Sequence, residues 1–180
     1  APARYISRLE DLAARLPTAG RVLELGSGDG IPAARFFSPR FEYLGVDLSP
    51  VQIELARQQV PDATFEVGDM TRLRFDDETF DAVLALYSII HVPLNEQPAL
   101  FDSVFRWLKP GGLFLAVLGA ETWTGTETGW IQPGTVMYWS HADSATYRLW
   151  LETSGFSVLE KVHIPEGSGA HTFFLAEKNR

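Results

Sequence analysis

Cysteine is absent from this chain, which excludes disulfides and every thiolate metal site. Long apolar runs are absent too. No window of about 18 consecutive apolar residues occurs, so no membrane-spanning helix is expected. The opening stretch, "APARYISRLEDLAARLP", is amphipathic and charged and lacks the apolar centre of a secretory signal. An excess of positive charge is missing as well: 15 Lys and Arg stand against 23 Asp and Glu, for a net charge of −8. That balance disfavours a generic electrostatic grip on nucleic acid. Internal repeats, low-complexity tracts, interdomain linkers and metal-ligand spacings are also missing. These absences lead to the expectation of a cytoplasmic protein, 180 residues long, with one domain over 1–180, no metal, no nucleic-acid partner and no membrane association.

What is there is alternation. Ile6, Leu9, Ala13 and Leu16 make a helical stripe ended by Pro17 and Gly20. Strands are expected at 21–26, 41–49, 63–69, 80–88 and 113–119, separated by helices at 31–39, 50–59 and about 95–108. "KPGG" (109–112) stops the last of these. Residues 120–139, rich in Gly, Thr and Trp, show no clear period and are expected to form a long loop, functional or mobile. A helix is expected at about 142–154, opened by a capping box from Ser140 to Asp143 and closed by Gly155. Two strands, 156–164 and 171–178, end the chain. Strands alternating with helices imply a parallel sheet with right-handed crossovers, and the final short-turn pair adds one antiparallel strand. The expected fold is a three-layer α/β sandwich.

"VLELGSGDG" (22–30) places three glycines directly after the first strand. Glycine loses more backbone freedom on folding than any other residue, so something there requires a tight turn or a close approach. In open α/β sheets ligands bind at the carboxyl ends of the strands. A plain strand-to-helix turn is the alternative. Asp47 ends the second strand, where a carboxylate can accept both hydroxyls of a ribose, and Leu48 follows it. Asp69 ends the third, where an acid can accept from an adenine amino group with Met70 packed on the ring. A dinucleotide fingerprint would need G-x-G-x-x-G, but Ile31 stands where its third glycine belongs. Glu24, just before the loop, can order it or reach an amino group, which a pyrophosphate lacks and S-adenosylmethionine has.

The ordered set "VLELGSGDG", "GVDLS", "VGDM", "FDAVLALYSIIHVP" and "LKPGG" resembles the class I S-adenosylmethionine-dependent methyltransferases over nearly the whole chain. The resemblance implies a Rossmann-like seven-stranded sheet of order 3-2-1-4-5-7-6 with strand 7 antiparallel. It implies S-adenosylmethionine as cofactor, with Glu24, Gly26, Gly28 and Gly30 at its methionine end. Asp47 and Leu48 then meet the ribose, Asp69 and Met70 the adenine, and Leu86 and Tyr87 border the sulfonium. The tail, "MYWSHADSATYRLWLETSGF", is similar to a small-molecule branch. Many relatives carry a further N-terminal helix over the cofactor. This sequence opens close to the helix before the first strand, so a more open site, or a lid from 120–139, is expected.

Methyl transfer is an in-line displacement, and holding the reacting atoms in line can supply about 7–11 kcal/mol. A base matters only where the acceptor carries a proton that must leave. His91, after the fourth strand, is the first candidate, against a capping role before Pro93; His141 is the second, against a helix-start role. His163 and His171 read as structural. Trp123, Trp130, Tyr138 and Trp139 wall either a pocket or a core under the loop, whereas Tyr147 and Trp150 read as core. "LYSIIHVP" lacks the Asn/Asp-Pro-Pro-Tyr signature of enzymes that methylate nucleic-acid amino groups. With the acidic charge, that points to a small-molecule acceptor. The competing functions are a noncatalytic S-adenosylmethionine-binding protein and a nicotinamide dehydrogenase.

Overall fold

The computed structural model describes residues 2–129, 133–167 and 169–179. The strands are β1 (Arg21–Leu25), β2 (Glu42–Asp47), β3 (Thr64–Val67), β4 (Phe80–Leu86), β5 (Leu108–Gly119), β6 (Trp123–Thr128), β7 (Val136–His141), β8 (Phe156–Glu166) and β9 (Gly169–Lys178). The helices are α1 (Pro2–Ala13), α2 (Ala33–Phe37), α3 (Pro50–Gln59), α4 (Gln97–Trp107) and α5 (Ser144–Thr153).

Seven strands form one sheet in the order β3-β2-β1-β4-β5-β9-β8. β1 to β5 pair in parallel, and β9 runs antiparallel to both neighbours. With β6 and β7 set aside, this is the order that the resemblance implied. Central strands of such a sheet are covered on both faces and read as unbroken apolar runs. Accordingly, Val22 to Leu25 of β1 and Ala82 to Ala85 of β4 are all buried. Alternate residues serve opposite layers. Leu23, Leu25, Val83 and Ala85 pack with Phe101 and Val104 of α4 and Tyr147 and Leu151 of α5. Val22, Ala82 and Leu84 pack with Leu9 and Leu12 of α1, Phe37 of α2 and Ile53 of α3. Tyr147 and Trp150 belong to the first of these cores, as expected.

Local signals place the helix that follows β2. Ser49 accepts the Gln52 amide at 3.3 Å, and Pro50 supplies the first helical φ. α5 starts differently from the expectation. Its cap is Asp143, which accepts the Thr146 amide at 2.7 Å, while Ser140 lies in β7 and accepts the Leu94 amide at 3.0 Å. The larger correction concerns 120–139. There β6 and β7 form an antiparallel hairpin, with Trp123 opposite His141 and Gly125 opposite Trp139. Thr124, Thr126 and Thr128 alternate along β6, and β-branched residues favour strands. Gly125 and the polar threonines hide that period from a hydrophobicity reading.

Candidate active site

A cavity of about 410 Å³ opens at the carboxyl ends of β1 to β4. Gly26, Asp47, Leu48, Asp69, Met70, Leu86, Tyr87 and His91 all line it. Residues spread over 66 positions of sequence therefore converge because four consecutive parallel strands end on the same side. Its size lies within the usual range of ligand pockets.

The glycines after β1 answer two different demands. Gly26 has φ +76°, and a Cβ there would lie 2.2 Å from the Ser88 Cβ. Ser88 is held at that spot by donating to the Leu25 carbonyl at 2.5 Å, so the segment after β4 closes directly over the end of β1. Gly28 has φ +53° but no near neighbour; the closest atom to an added Cβ is 4.0 Å away. Its amide donates to Asp47 Oδ2 at 2.8 Å. Gly30 packs against the Phe65 ring behind the loop and does not line the cavity.

Asp47 Oδ1 accepts the Ser49 amide at 2.9 Å, so each of its oxygens takes one backbone donor. A carboxylate oxygen has two lone pairs, which leaves one on each for a ligand hydroxyl. Asp69 Oδ1 accepts from both the amide and the hydroxyl of Thr71, at 2.9 and 2.7 Å. The Thr71 hydroxyl, with its amide and the Arg72 charge, holds the Asp69 carboxyl below the ordinary carboxylate range. Leu48 is exposed at the rim, and Met70 reaches from the cavity wall into the core.

Glu24 sits elsewhere. It is buried behind the glycine loop, and the Tyr43 hydroxyl donates to its Oε2. Burial, with the Asp47 and Asp29 charges nearby, pushes its pKa up to about 8 despite that hydrogen bond. Burial and the Glu24 charge raise Tyr43 as well. Below pH 8 Glu24 is thus mostly neutral in the folded, ligand-free chain, whereas in the unfolded chain it ionises near its ordinary value of 4.5. The linkage has a definite sign. The unfolded state releases the proton first, so stability that is full below pH 4.5 is lost as pH rises toward 8. Melting scans from pH 5 to 8 should therefore show a falling Tm, and Glu24→Gln should flatten that slope. An unchanged slope in the variant would assign the pH dependence to other groups.

Tyr87 has φ +58°, an uncommon conformation for a non-glycine residue that costs free energy and concentrates at functional sites. Its hydroxyl donates to Glu166 Oε1 at 2.6 Å, and its ring lies 4.8 Å from that of His171. Glu166 Oε2 is in turn 3.0 Å from His171 Nδ1. Burial lowers the His171 pKa, opposed by the Glu166 charge. Glu166 and His171 were not legible as site residues. The turn that brings them to Tyr87 joins β8 to β9, at the far end of the chain.

His91 follows Ser88 in a 3₁₀ turn, Ile89–His91, and lines the same cavity. Its Nδ1 lies 2.7 Å from the Tyr138 carbonyl. A carbonyl only accepts, so this contact assigns the proton to Nδ1 and leaves the lone pair on Nε2. Partial burial lowers the His91 pKa; the Tyr138 carbonyl opposes this and the His141 charge adds to it. The imidazole is therefore neutral at pH 7. Gln97 secures the turn from behind. Its Nε2 donates to the carbonyls of Ile89, Val92 and Ser140, and its Oε1 accepts the Tyr147 hydroxyl at 2.8 Å. One buried amide thus ties the turn, β7 and α5 together.

His141 is not brought beside His91. It lines a second cavity of about 640 Å³, between the hairpin and the β8–β9 turn, together with Trp123, Trp139 and His171. Its Nδ1 lies 2.6 Å from the Glu121 carbonyl. Tyr138 is exposed, Trp139 is buried, and Trp130 lies outside the described residues. Exposed His163 lines neither of these cavities. Among the described residues no group of three or more His, Asp and Glu is arranged to hold a metal ion, and no helix is long and apolar enough to cross a membrane.

A family described as a methyltransferase domain matches residues 22–112. Phosphoethanolamine N-methyltransferase 3 of Arabidopsis thaliana is 35% identical over 95 residues, covering 51% of this chain and 18% of its own length. Trans-aconitate 2-methyltransferase of Variovorax paradoxus is 36% identical over 110 residues, covering 58% and 41%. The chain thus spans less than half the length of these curated relatives. Among solved structures, a SAM-dependent methyltransferase from Methanosarcina mazei superposes with a TM-score of 0.81 at 18% identity, covering 94% of this chain and 97% of that one. At that identity the likeness concerns the fold.

Proposed function

This chain belongs to the methyltransferase-domain family, among the class I S-adenosylmethionine-dependent methyltransferases, and from that premise we propose that it moves a methyl group to an O, N or C atom of a small metabolite. One observation carries the reading. Gly26, Asp47 and Asp69, at the ends of three consecutive strands, line a single cavity of ligand size. S-adenosylmethionine fits that donor set. Asp47 retains lone pairs for a ribose diol; Asp69, which lines the cavity with its Oδ2 3.5 Å from Arg72 Nε, would accept from an adenine amino group; and Met70 offers an apolar wall. Leu86 and Tyr87 would border the sulfur, and Gly26 and Gly28 the methionine end. Glu24 would act from behind the loop.

When bound, S-adenosylmethionine supplies a methyl group on a positive sulfur, which keeps the bonding pair as an acceptor lone pair takes the methyl. The residues of this chain have two tasks: to align the acceptor and to take the proton that an O–H or N–H acceptor gives up. His91, whose ring lines the cavity and keeps a lone pair on Nε2, is assigned the second task. The net charge of −8 favours a small acceptor over a nucleic acid. A cytoplasmic setting and a single domain over 1–180 are part of the same proposal.

Calorimetric titration tests it. S-adenosylhomocysteine should bind saturably at one site per chain, and NAD should not. Binding of NAD in place of S-adenosylhomocysteine would overturn the reading. S-adenosylhomocysteine binding without turnover on any of a broad metabolite panel would leave a noncatalytic binding protein instead.

A further inference from the structure

The second cavity has a chemical character of its own, and we infer that it binds an organic ammonium group carried by the methyl acceptor. The inference rests on the methyltransferase reading above and names the substrate class. The hairpin register places Trp123, Glu127, Trp139 and His141 on one face. Gly125 lies at the middle of that face, opposite Trp139, and its missing side chain lets the Trp123 indole lie over it, where an added Cβ would meet the ring at 3.1 Å. The two indoles stand 6.3 Å apart at 43°, and Trp123 remains 43% exposed at the cavity. Indole faces are the strongest aromatic partners for a cation.

Charge points the same way. Glu121, Glu127 and Glu166 line the cavity, and among the described residues no lysine or arginine does. Glu166 is engaged by Tyr87 and His171. The carboxylates of Glu121 and Glu127 have no hydrogen-bond or ion-pair partner among the described residues. A ligand bearing a phosphate or carboxylate would face like charge, with only the imidazoles of His141 and His171 to set against three carboxylates. An ammonium would meet carboxylates on the rim and ring faces behind them.

Position links this cavity to the chemistry. His91 lines the first cavity, and its ring lies 4.6 Å from that of Trp139, which lines the second. Tyr87 lines the first, and its hydroxyl meets Glu166 in the second. The partition consists of these paired side chains, His91 with Trp139 and Tyr87 with Glu166, at the segment assigned to the transferring methyl. The ammonium serves recognition here, whichever atom of the acceptor receives the methyl.

The test compares choline with 3,3-dimethylbutan-1-ol, its uncharged isostere, by calorimetry and tryptophan fluorescence, on the chain alone and saturated with S-adenosylhomocysteine. Choline should bind saturably, at least tenfold more tightly than the isostere. The double variant Glu121→Gln, Glu127→Gln should weaken choline at least fivefold, and Trp123→Leu should weaken it as well, while S-adenosylhomocysteine affinity stays within twofold. Equal binding of the isostere, absence of saturable choline binding, or an unchanged double variant would each overturn the inference. Normal S-adenosylhomocysteine binding with no choline binding removes only the ammonium site. Choline binding without S-adenosylhomocysteine binding supports the ammonium site and removes the cofactor reading.

Discussion

Replacing His91 with alanine is expected to lower kcat by about 10²–10⁴-fold on an acceptor that must lose a proton. The structure favours this over a capping role. The Tyr138 carbonyl occupies Nδ1, Nε2 keeps a lone pair, and burial holds the ring neutral at pH 7. A lowered pKa also sets the sign of the pH profile. The base works when unprotonated, so the wild-type rate should rise with pH, with the midpoint of the rise below the ordinary histidine value of 6.5. Alanine also removes the partner of the Tyr138 carbonyl and the ring beside Trp139, so a second variant is needed. His91→Asn keeps an amide donor but no base. It should restore the melting temperature without restoring kcat, and its profile should lose the rising limb. Full kcat with a raised KM would place His91 in acceptor binding. A fall in Tm alone, with kcat intact, would return it to a structural role.

Asp47→Ala should weaken S-adenosylhomocysteine by more than tenfold. Hydrogen bonds to a charged group contribute about 1.5–3 kcal/mol, and one such loss already corresponds to that factor. Two ribose hydroxyls make the expected effect larger. Asp47 also accepts the Gly28 and Ser49 amides, so the substitution loosens the glycine loop and the start of α3 together. The melting temperature should therefore fall by several degrees even without ligand. The two roles separate in one titration series. A lower Tm with unchanged affinity would confine Asp47 to anchoring the loop; weaker binding beyond the loss of stability would assign it to the ribose.

Much of the cofactor side was legible because its determinants are local. A glycine that needs a positive φ, an acid at a strand end and Ser-Pro at a helix start act within a few residues. Each can be read where it stands, and Gly26, Asp47, Asp69 and Met70 all line the expected cavity. The hairpin was not legible, because Gly125 and the threonines of β6 break the apolar alternation that marks a strand. The cap of α5 was misread by position for a related reason: pairing with β6 draws Ser140 into β7 and leaves the cap to Asp143.

By itself, then, the sequence determined the alternation of strands and helices, the order of the sheet once the resemblance was admitted, and the residues at the ends of β1 to β3. Those follow from backbone preference and burial pattern, which depend on neighbours along the chain. The tertiary structure decided which titratable groups meet. Tyr87 finds Glu166 across 79 positions, and His91 finds the Tyr138 carbonyl across 47. It also set His141 in a separate cavity from His91 and sealed Glu24 behind the loop in its neutral form. Charge state depends on desolvation and on partners brought together by topology, and neither is written in the spacing of residues along the chain.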